Sequence, residues 1–277
     1  MGRLKILKSS PLTTVQDRGR FGYRQYGIPQ SGAMDPVGMQ IANRIVGNDD
    51  FDPIIEYALS GIHLEAREDG IVGLFGASLY VNEQLIRENG AYIKKGDIIK
   101  LSPPQLVYAY FSLSGFLDTD FVFGSYATYL PGRFGGFKGR SLMPDDEITS
   151  RGKGVLQSAK SRKEPGHSIR FIMGPEWEEI KTPFSNKEFQ IASSSNRIGI
   201  RLQGDPLQAR SSEIKSSAVI PGTIQLPPNG QPIVLMNDCQ TTGGYPRIGK
   251  VLDEDLGKLA QQRPNQRVNI NLCAIDV

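Results

Sequence analysis

The stretch Ile224–Gly249, IQLPPNGQPIVLMNDCQTTGGYPRIG, decides how the chain is read. Its apolar run Pro232–Met236 is rich in β-branched residues and is bounded by Gly230 and Gly243, which predicts a buried strand. The strand delivers a polar cluster, Asn237-Asp238-Cys239-Gln240-Thr241-Thr242, followed by Gly243-Gly244 and Tyr245-Pro246. A carboxylate, amides and hydroxyls at a strand's end suit either a polar substrate or a solvated hairpin loop. The glycine pair lets backbone approach a ligand closely or takes up φ > 0.

A second polar segment lies near the start. Pro11–Gly32 has no helical period, and Gln16, Asp17, Arg18 and Arg20 cluster around Gly19 and Gly22. The planar fork of arginine suits carboxylate or phosphate, and an Arg–Asp pair bracing a turn explains the same residues. Asp35-Pro36 then opens the clearest helix. Asp35 is a good N-cap and Pro36 fits the first helical position. Val37, Ile41, Ala42 and Ile45 form its apolar face and Gly47 stops it.

Short strands between turns are predicted over Ile54–Leu59, Ile62–Ala66, Ile71–Phe75, Leu79–Val81, Tyr92–Ile93, Ile98–Leu101 and Val107–Leu113. This spacing favours a barrel or sandwich. Glu56 is a carboxylate in an apolar strand; a buried one needs a partner or a raised pKa, so it is either a site residue or on the solvent face. Gly124–Arg140 is rich in glycine and aromatics and carries Arg133 and Arg140, as a loop shaped around a ligand or partner would. Ser150–His167 reads as a linker, and its basic run as a solvated loop. A short helix is expected over Pro175–Ile180. The last helix is expected over Asp253–Gln262 with Asp253 as its cap, followed by a strand at Val268–Leu272. Weak echoes between the halves, such as Pro53-Ile54-Ile55 and Pro232-Ile233-Val234, suggest a duplication.

Bulk properties narrow the classes. At 277 residues, 39% hydrophobic and 22% charged, the chain is a soluble globular protein of one or two domains. A net charge of +3 gives no argument for nucleic acid. Two cysteines make no disulfide framework, and two histidines make a His-based zinc site or a serine triad improbable. The absence of a signal-peptide pattern and of a membrane-length apolar run predicts a cytoplasmic protein. Gly244–Lys250 fits G-x-x-x-x-G-K, but Val251 stands where a P-loop needs Ser or Thr. Cys239 invites a nucleophile reading, yet the neighbouring Asp238 would raise a thiol's pKa.

Three long segments carry a family resemblance: LTTVQDRGRFGYRQYGIPQSGAMDPVGMQIANRIVGN at residues 12–48, GSYATYLPGRFGGFKGRSL at 124–142, and GTIQLPPNGQPIVLMNDCQTTGGYPRI at 222–248. With IRFIMGPEW and SNRIGIRLQG they resemble the biotin-dependent carboxyltransferase family. That family includes the C subunit of 5-oxoprolinase, allophanate hydrolase subunit 2 and the KipA proteins. Cys239 and Tyr126 depart from it, since arginine is usual at both places.

The resemblance implies a mainly β chain of two tandem cyclophilin-like β-barrels with a few short helices, over residues 1–160 and 161–277. It implies the C subunit of an ATP-dependent 5-oxoprolinase, which opens 5-oxoproline to glutamate. The companions would be a KipI-like B subunit in one chain and a LamB/YcsF-like A subunit in another. ATP would be shared with those partners, magnesium would be compatible, and no covalent biotin is carried because there is no attachment sequence. Alternatives are an allophanate-hydrolase or carboxyltransferase component acting on a urea-derived substrate, and a non-catalytic KipA-type antagonist of a kinase inhibitor. On matching positions, the catalytic candidates are Asp17, Arg20, Glu56 and Asp238. The substrate-binding candidates are Gln16, Ser31, Arg133, Arg197, Gln225, Gln240, Thr241, Gly243, Gly244 and Tyr245. No metal ligands are assigned. The turn at Asp238 and the turn at Asp17 are expected to share one cleft.

Overall fold

The computed structural model describes residues 2–158, 166–211 and 213–273. It is mainly β, with two α-helices and two 3-10 turns among those residues. The chain divides into two compact units: residues 1–20 with 31–163, and residues 21–30 with 164–277. The expected boundary at 160/161 lies outside the described residues, as does part of the predicted linker. The short segment Phe21–Gln30 groups with the second unit, which a single cut did not anticipate.

The first unit contains β1 (Gly2–Lys8), β2 (Thr14–Gln16), β3 (Ile54–Ala58), β4 (Ile62–Ala66), β5 (Gly70–Phe75), β6 (Leu79–Val81), β7 (Gln84–Ile86), β8 (Gly90–Ile93), β9 (Ile98–Leu101), β10 (Tyr108–Leu113), β11 (Phe116–Leu117) and β12 (Glu147–Arg151). One sheet runs β11-β12-β1-β4-β9-β6-β7 and the other β2-β3-β10-β5-β8. Both contribute to one core. Leu4, Ile6, Leu64 and Ile99 from the first sheet pack with Tyr57, Val72, Leu74 and Phe111 from the second. Each such side chain, fully buried, contributes about 1.5–3 kcal/mol.

The helix α1 (Pro36–Ile45) starts as expected: the Asp35 carboxylate accepts from Gly38 N at 3.3 Å. Its buried face differs from the expected one. Gly38, Met39, Ala42, Asn43 and Ile45 are buried, whereas Val37 is 44% exposed. Gly38 allows this packing, because a Cβ there would sit 2.8 Å from the Phe75 ring and 3.0 Å from Tyr110. The helix therefore lies directly on β5 and β10.

The second unit closes into a barrel. Its strands are β13 (Ser168–Met173), β14 (Lys187–Ile191), β15 (Gly199–Gln203), β16 (Ser217–Ala218), β17 (Thr223–Gln225), β18 (Ile233–Leu235), β19 (Thr242–Gly243), β20 (Arg247–Val251) and β21 (Arg267–Leu272). The closed order is β13-β20-β17-β18-β15-β14-β21, while β16 and β19 form a small separate ribbon. The parallel pair β13–β21 completes the ring, with Ile169 opposite Ile270. Phe171, Phe184 and Phe189 fill one side of the core, their centroids 5.0 and 5.7 Å apart in sequence. Such aromatic pairs add about 0.5–1.5 kcal/mol each beyond their area.

The predicted run at Pro232–Met236 is β18, flanked in the wall by β15 and β17. The expected helix near Pro175 is only a 3-10 turn, Trp177–Glu179. The helix α2 (Asp253–Ala260) is capped by the backbone of Leu252 and not by Asp253. Asp253 instead pairs with Lys250 at 2.5 Å. The acid inside α2 that ties it down is Asp255, which accepts from Arg170 N at 2.9 Å and Arg170 Nε at 2.8 Å.

Candidate functional site

In the second unit the chain leaves β18 at Met236 and turns at once. Cys239 N donates to Met236 O at 3.0 Å, and Asp238 N to Arg197 O at 2.9 Å. Arg197 grips the Asp238 carboxylate twice, Nε to Oδ2 at 2.7 Å and Nη2 to Oδ1 at 3.1 Å. Both side chains are nearly buried, at 11% and 7% exposure. A fork-on-carboxylate pair of this kind is strong and geometrically specific. It brings two predicted site residues together as a clamp on the turn.

Beyond the clamp, Val219 N donates to Thr241 O at 3.0 Å and Ile214 N to Gly244 O at 2.8 Å. These bonds and the β16–β19 ribbon fix the path of the turn. Gln225, in β17, is buried beneath it. Its contacts are long: Gln240 Nε2 to Gln225 Oε1 at 3.4 Å, and Gln225 Nε2 to Tyr245 O at 3.5 Å. Bonds at this length are weak, so these two amides are the loosely committed polar groups of the turn. Gly243 makes room for the Gln225 amide, since a Cβ there would meet Gln225 Nε2 at 2.5 Å and the flexible amide would have to move aside. Of the two options the sequence left for the glycine pair, close approach applies at Gly243, and neither glycine has positive φ. Gln240 and Tyr245 form the exposed rim.

One residue of this region was missed by sequence reasoning. Arg24 opens the 3-10 turn Arg24–Tyr26, which ends on Gly27 at φ 79. Its Nη2 donates to the carbonyl of Val219 and, at 3.0 Å, to that of Gln240, and it lies 3.9 Å from Cys239 Sγ. Nothing local distinguishes Arg24 from Arg18 and Arg20 in the same arginine-rich segment.

In the first unit the predicted residues near Asp17 are also gathered. Asp17 Oδ1 accepts from Gly19 N and from Ser125 Oγ, both at 2.7 Å, and Oδ2 accepts from Tyr126 N at 2.6 Å. The carboxylate thus ties the 17–20 turn to the 125–128 loop. Arg20 is buried, with Nε donating to Val122 O at 3.3 Å and Nη2 to the carbonyl of Ala127, and its guanidinium lies 4.8 Å over the Phe134 ring. Gln16 Nε2 donates to Thr14 Oγ1 at 2.9 Å and to Thr128 O at 3.3 Å.

Ser31 is buried with φ 55, and its hydroxyl has no hydrogen-bond partner among the described residues. Next to it Gly32, at φ 89, passes so close to Gly19 that a Cβ would sit 2.8 Å from Gly19 N.

Glu56 is buried and so not on the solvent face. Its Oε2 accepts from Met34 N at 2.7 Å and from the Tyr110 hydroxyl at 2.8 Å, while that hydroxyl accepts from Asp35 N at 2.7 Å. Burial, with the Glu56 and Asp35 charges behind it, pushes the Tyr110 hydroxyl well above its ordinary range. Arg133, at φ 55, lies exposed and has no ion pair among the described residues. The two halves of the expected cleft fall in different units, and each is held by its own partners.

Residues 26–272 match the carboxyltransferase domain, subdomain A and B. The chain is 38% identical to the 5-oxoprolinase C subunit of Escherichia coli over 99% of its own length and 92% of that protein's. It is 33% identical to that of Haemophilus influenzae over 98% and 92%. The chain belongs to the carboxyltransferase-domain family. A crystal structure of the K. lactis urea amidolyase has the same fold, with a TM-score of 0.88 and 24% identity over 97% of this chain. There the chain corresponds to only 18% of a much longer one.

Two departures within this carboxyltransferase-domain chain have structural counterparts. Cys239 is buried, and burial pushes its thiol up, although Arg24 opposes the shift. A raised thiol is a poor nucleophile. Tyr126 packs its ring on Phe116 and Phe121, with centroids 5.0 and 4.7 Å away. An aromatic cluster thus surrounds position 126.

Proposed function

We propose that this chain is the C subunit of an ATP-dependent 5-oxoprolinase. The observation that carries the reading is its likeness to the E. coli protein along nearly the whole of both chains. A domain shared in part would support the family alone; a match from end to end supports the same place in the same assembly. The names of the relatives call them subunits, so the reading includes partner chains in the cytoplasm. These are a B subunit of the KipI-like kind and an A subunit of the LamB/YcsF-like kind.

The chemistry suits the residue types. A lactam is held shut by resonance. Phosphorylation of its oxygen by ATP makes the ring carbon electrophilic and releases ADP; water then adds, the C–N bond breaks to leave a γ-glutamyl phosphate, and a second water hydrolyses that to glutamate and phosphate. That sequence depends on positioning and charge stabilisation more than on a protein nucleophile, which fits a turn whose acids are already committed. The Asp238–Arg197 clamp sets the turn, Gln225 and Gln240 read the lactam edge, and Thr241, Gly243, Gly244 and Tyr245 border it. In the first unit Asp17, Arg20 and Gln16 hold the loops around Ser31. ATP, with its magnesium, is shared with the partner chains, and biotin is not attached to this one.

The test is co-expression with its KipI-like and LamB/YcsF-like companions, followed by ATP-dependent release of glutamate from 5-oxoproline. The complete set should turn over and the single chain should show little or no activity. Robust turnover by the single chain refutes the need for partners. A complete set that leaves 5-oxoproline untouched but acts on a urea-derived substrate supports the amidolyase-type reading, which has the likeness of fold behind it. Binding to the KipI-like partner with no turnover of either substrate supports the antagonist reading.

A further inference from the structure

The half-buried arginines of the second unit are Arg24, Arg197 and Arg247. Two of them hold a carboxylate with two nitrogens. Arg197 grips Asp238, and Arg247 grips Glu176 through Nε at 2.8 Å and Nη2 at 2.7 Å. Arg24 has no carboxylate partner among the described residues. Its Nη2 rests on the carbonyls of Val219 and Gln240, and its Nη1 is enclosed without a hydrogen-bond partner. Carbonyl dipoles satisfy N–H groups, but they bring no formal counter-charge. The enclosed Nη1 has no acceptor among the described residues, and a buried donor left unpaired is costly.

We propose that Arg24 completes a small-carboxylate subsite in the second unit, beside Gln225 and Gln240. The missing anion is the ligand's. Gln240 accepts from Arg24 through its backbone carbonyl while its side-chain amide meets Gln225, so one residue links the guanidinium to the two loosely held amides. A planar cationic fork next to neutral amides matches a molecule bearing a carboxylate and an amide edge. The ligand carries one negative charge. Asp238 is already neutralised by Arg197, which leaves Arg24 as the uncompensated cation of the turn, and a doubly charged phosphate would leave a surplus. That the ligand is 5-oxoproline rests on the 5-oxoprolinase reading; that it is a carboxylate does not.

Binding to the full-length chain by titration calorimetry tests this, with four probes: 5-oxoproline, its neutral amide 5-oxoprolinamide, cyclopentanecarboxylate and inorganic phosphate. The wild-type chain should bind 5-oxoproline at least tenfold more tightly than the amide, a comparison that needs no variant. Arg24→Gln should erase that advantage, and Arg24→Lys, which keeps the charge but not the fork, should retain part of it. Equal affinity for acid and amide overturns the proposal. So does an unchanged preference in a folded Arg24→Gln chain, stronger binding of phosphate than of either carboxylate, or no binding of any carboxylate. Cyclopentanecarboxylate binding as tightly as 5-oxoproline, and depending on Arg24, supports the subsite and counts against the lactam reading alone.

Discussion

The clamp between Arg197 and Asp238 makes a quantitative claim about where the stability of the second unit resides. Both side chains are about nine-tenths buried and joined by two charged hydrogen bonds. Removing one partner of a buried pair leaves the other charge stranded, which costs about 3–5 kcal/mol. The slight remaining exposure places this pair near the lower end, at roughly 3 kcal/mol. Asp238→Asn replaces one accepting oxygen by an NH2 group facing a guanidinium, and Arg197→Met strands the carboxylate. Each should therefore destabilise by roughly 3 kcal/mol, but the double variant strands no charge and should cost about the same as either single one, a coupling of about 2–3 kcal/mol. Trp177 is the sole tryptophan and packs on Phe171 and Phe184, so its fluorescence during urea unfolding reports on this unit. Additivity of the two single effects to within about 0.5 kcal/mol refutes the clamp. So would single variants as stable as wild type, because that is how a solvent-screened surface pair behaves.

Three further outcomes are expected. Gly243→Ala should leave the unfolding midpoint almost unchanged but cut turnover of the assembled complex by more than tenfold, because the new Cβ would fall 2.5 Å from Gln225 Nε2 and push that amide aside; full activity in that variant would remove Gln225 from the site. Burial works to raise the Asp255 carboxyl, but Arg170 and Lys258 hold it down, to about 2. Its folded value lies below the unfolded value of about 4. The stability it adds, on the order of 2 kcal/mol, is therefore complete above that unfolded value and lost as the pH falls toward the folded one. Asp255→Asn should flatten the acid limb of a stability–pH curve, and an unchanged limb would show that other groups set it. Finally, Cys239 is buried and its thiol is raised by that burial, so iodoacetamide at neutral pH should label the partly exposed Cys273 well before Cys239. Fast labelling of native Cys239 would restore the nucleophile reading.

The fold was legible where period and punctuation agree. The run Pro232–Met236 could hardly be anything but a wall strand, and Asp35-Pro36 announced α1 because cap chemistry is local. Most strands between Ile54 and Leu113 were found within a residue or two. The exception was Gln84–Ile86, whose largely exposed side chains carry no apolar alternation. Asp253 was misread as a cap for a related reason: several acids open α2, and sequence cannot say which one tertiary contacts will recruit. Val37 was misplaced because the helix packs through Gly38, and a glycine gives a hydrophobic pattern nothing to mark.

The site was harder to read, because the partners of its charges lie far away in the chain. Asp17 read either as the partner of a neighbouring arginine or as a site acid, yet Ser125 and Tyr126, more than a hundred residues on, take up its oxygens. Asp238 is likewise held by Arg197 across 41 positions. A chain that must place glycine-flanked turns in a rigid wall uses its acids to satisfy backbone and guanidinium donors, because buried polar groups left alone are costly. The acids that draw attention in the sequence are therefore the ones most fully engaged in the fold. What stays loosely committed around the 238–245 turn is less conspicuous: two neutral amides at 3.4–3.5 Å from their partners and Arg24, which has no carboxylate partner among the described residues. Such a set can orient a polarised amide and a carboxylate but cannot itself attack a carbon. On the proposed reading, attack and activation would fall to water, nucleotide and partner chains.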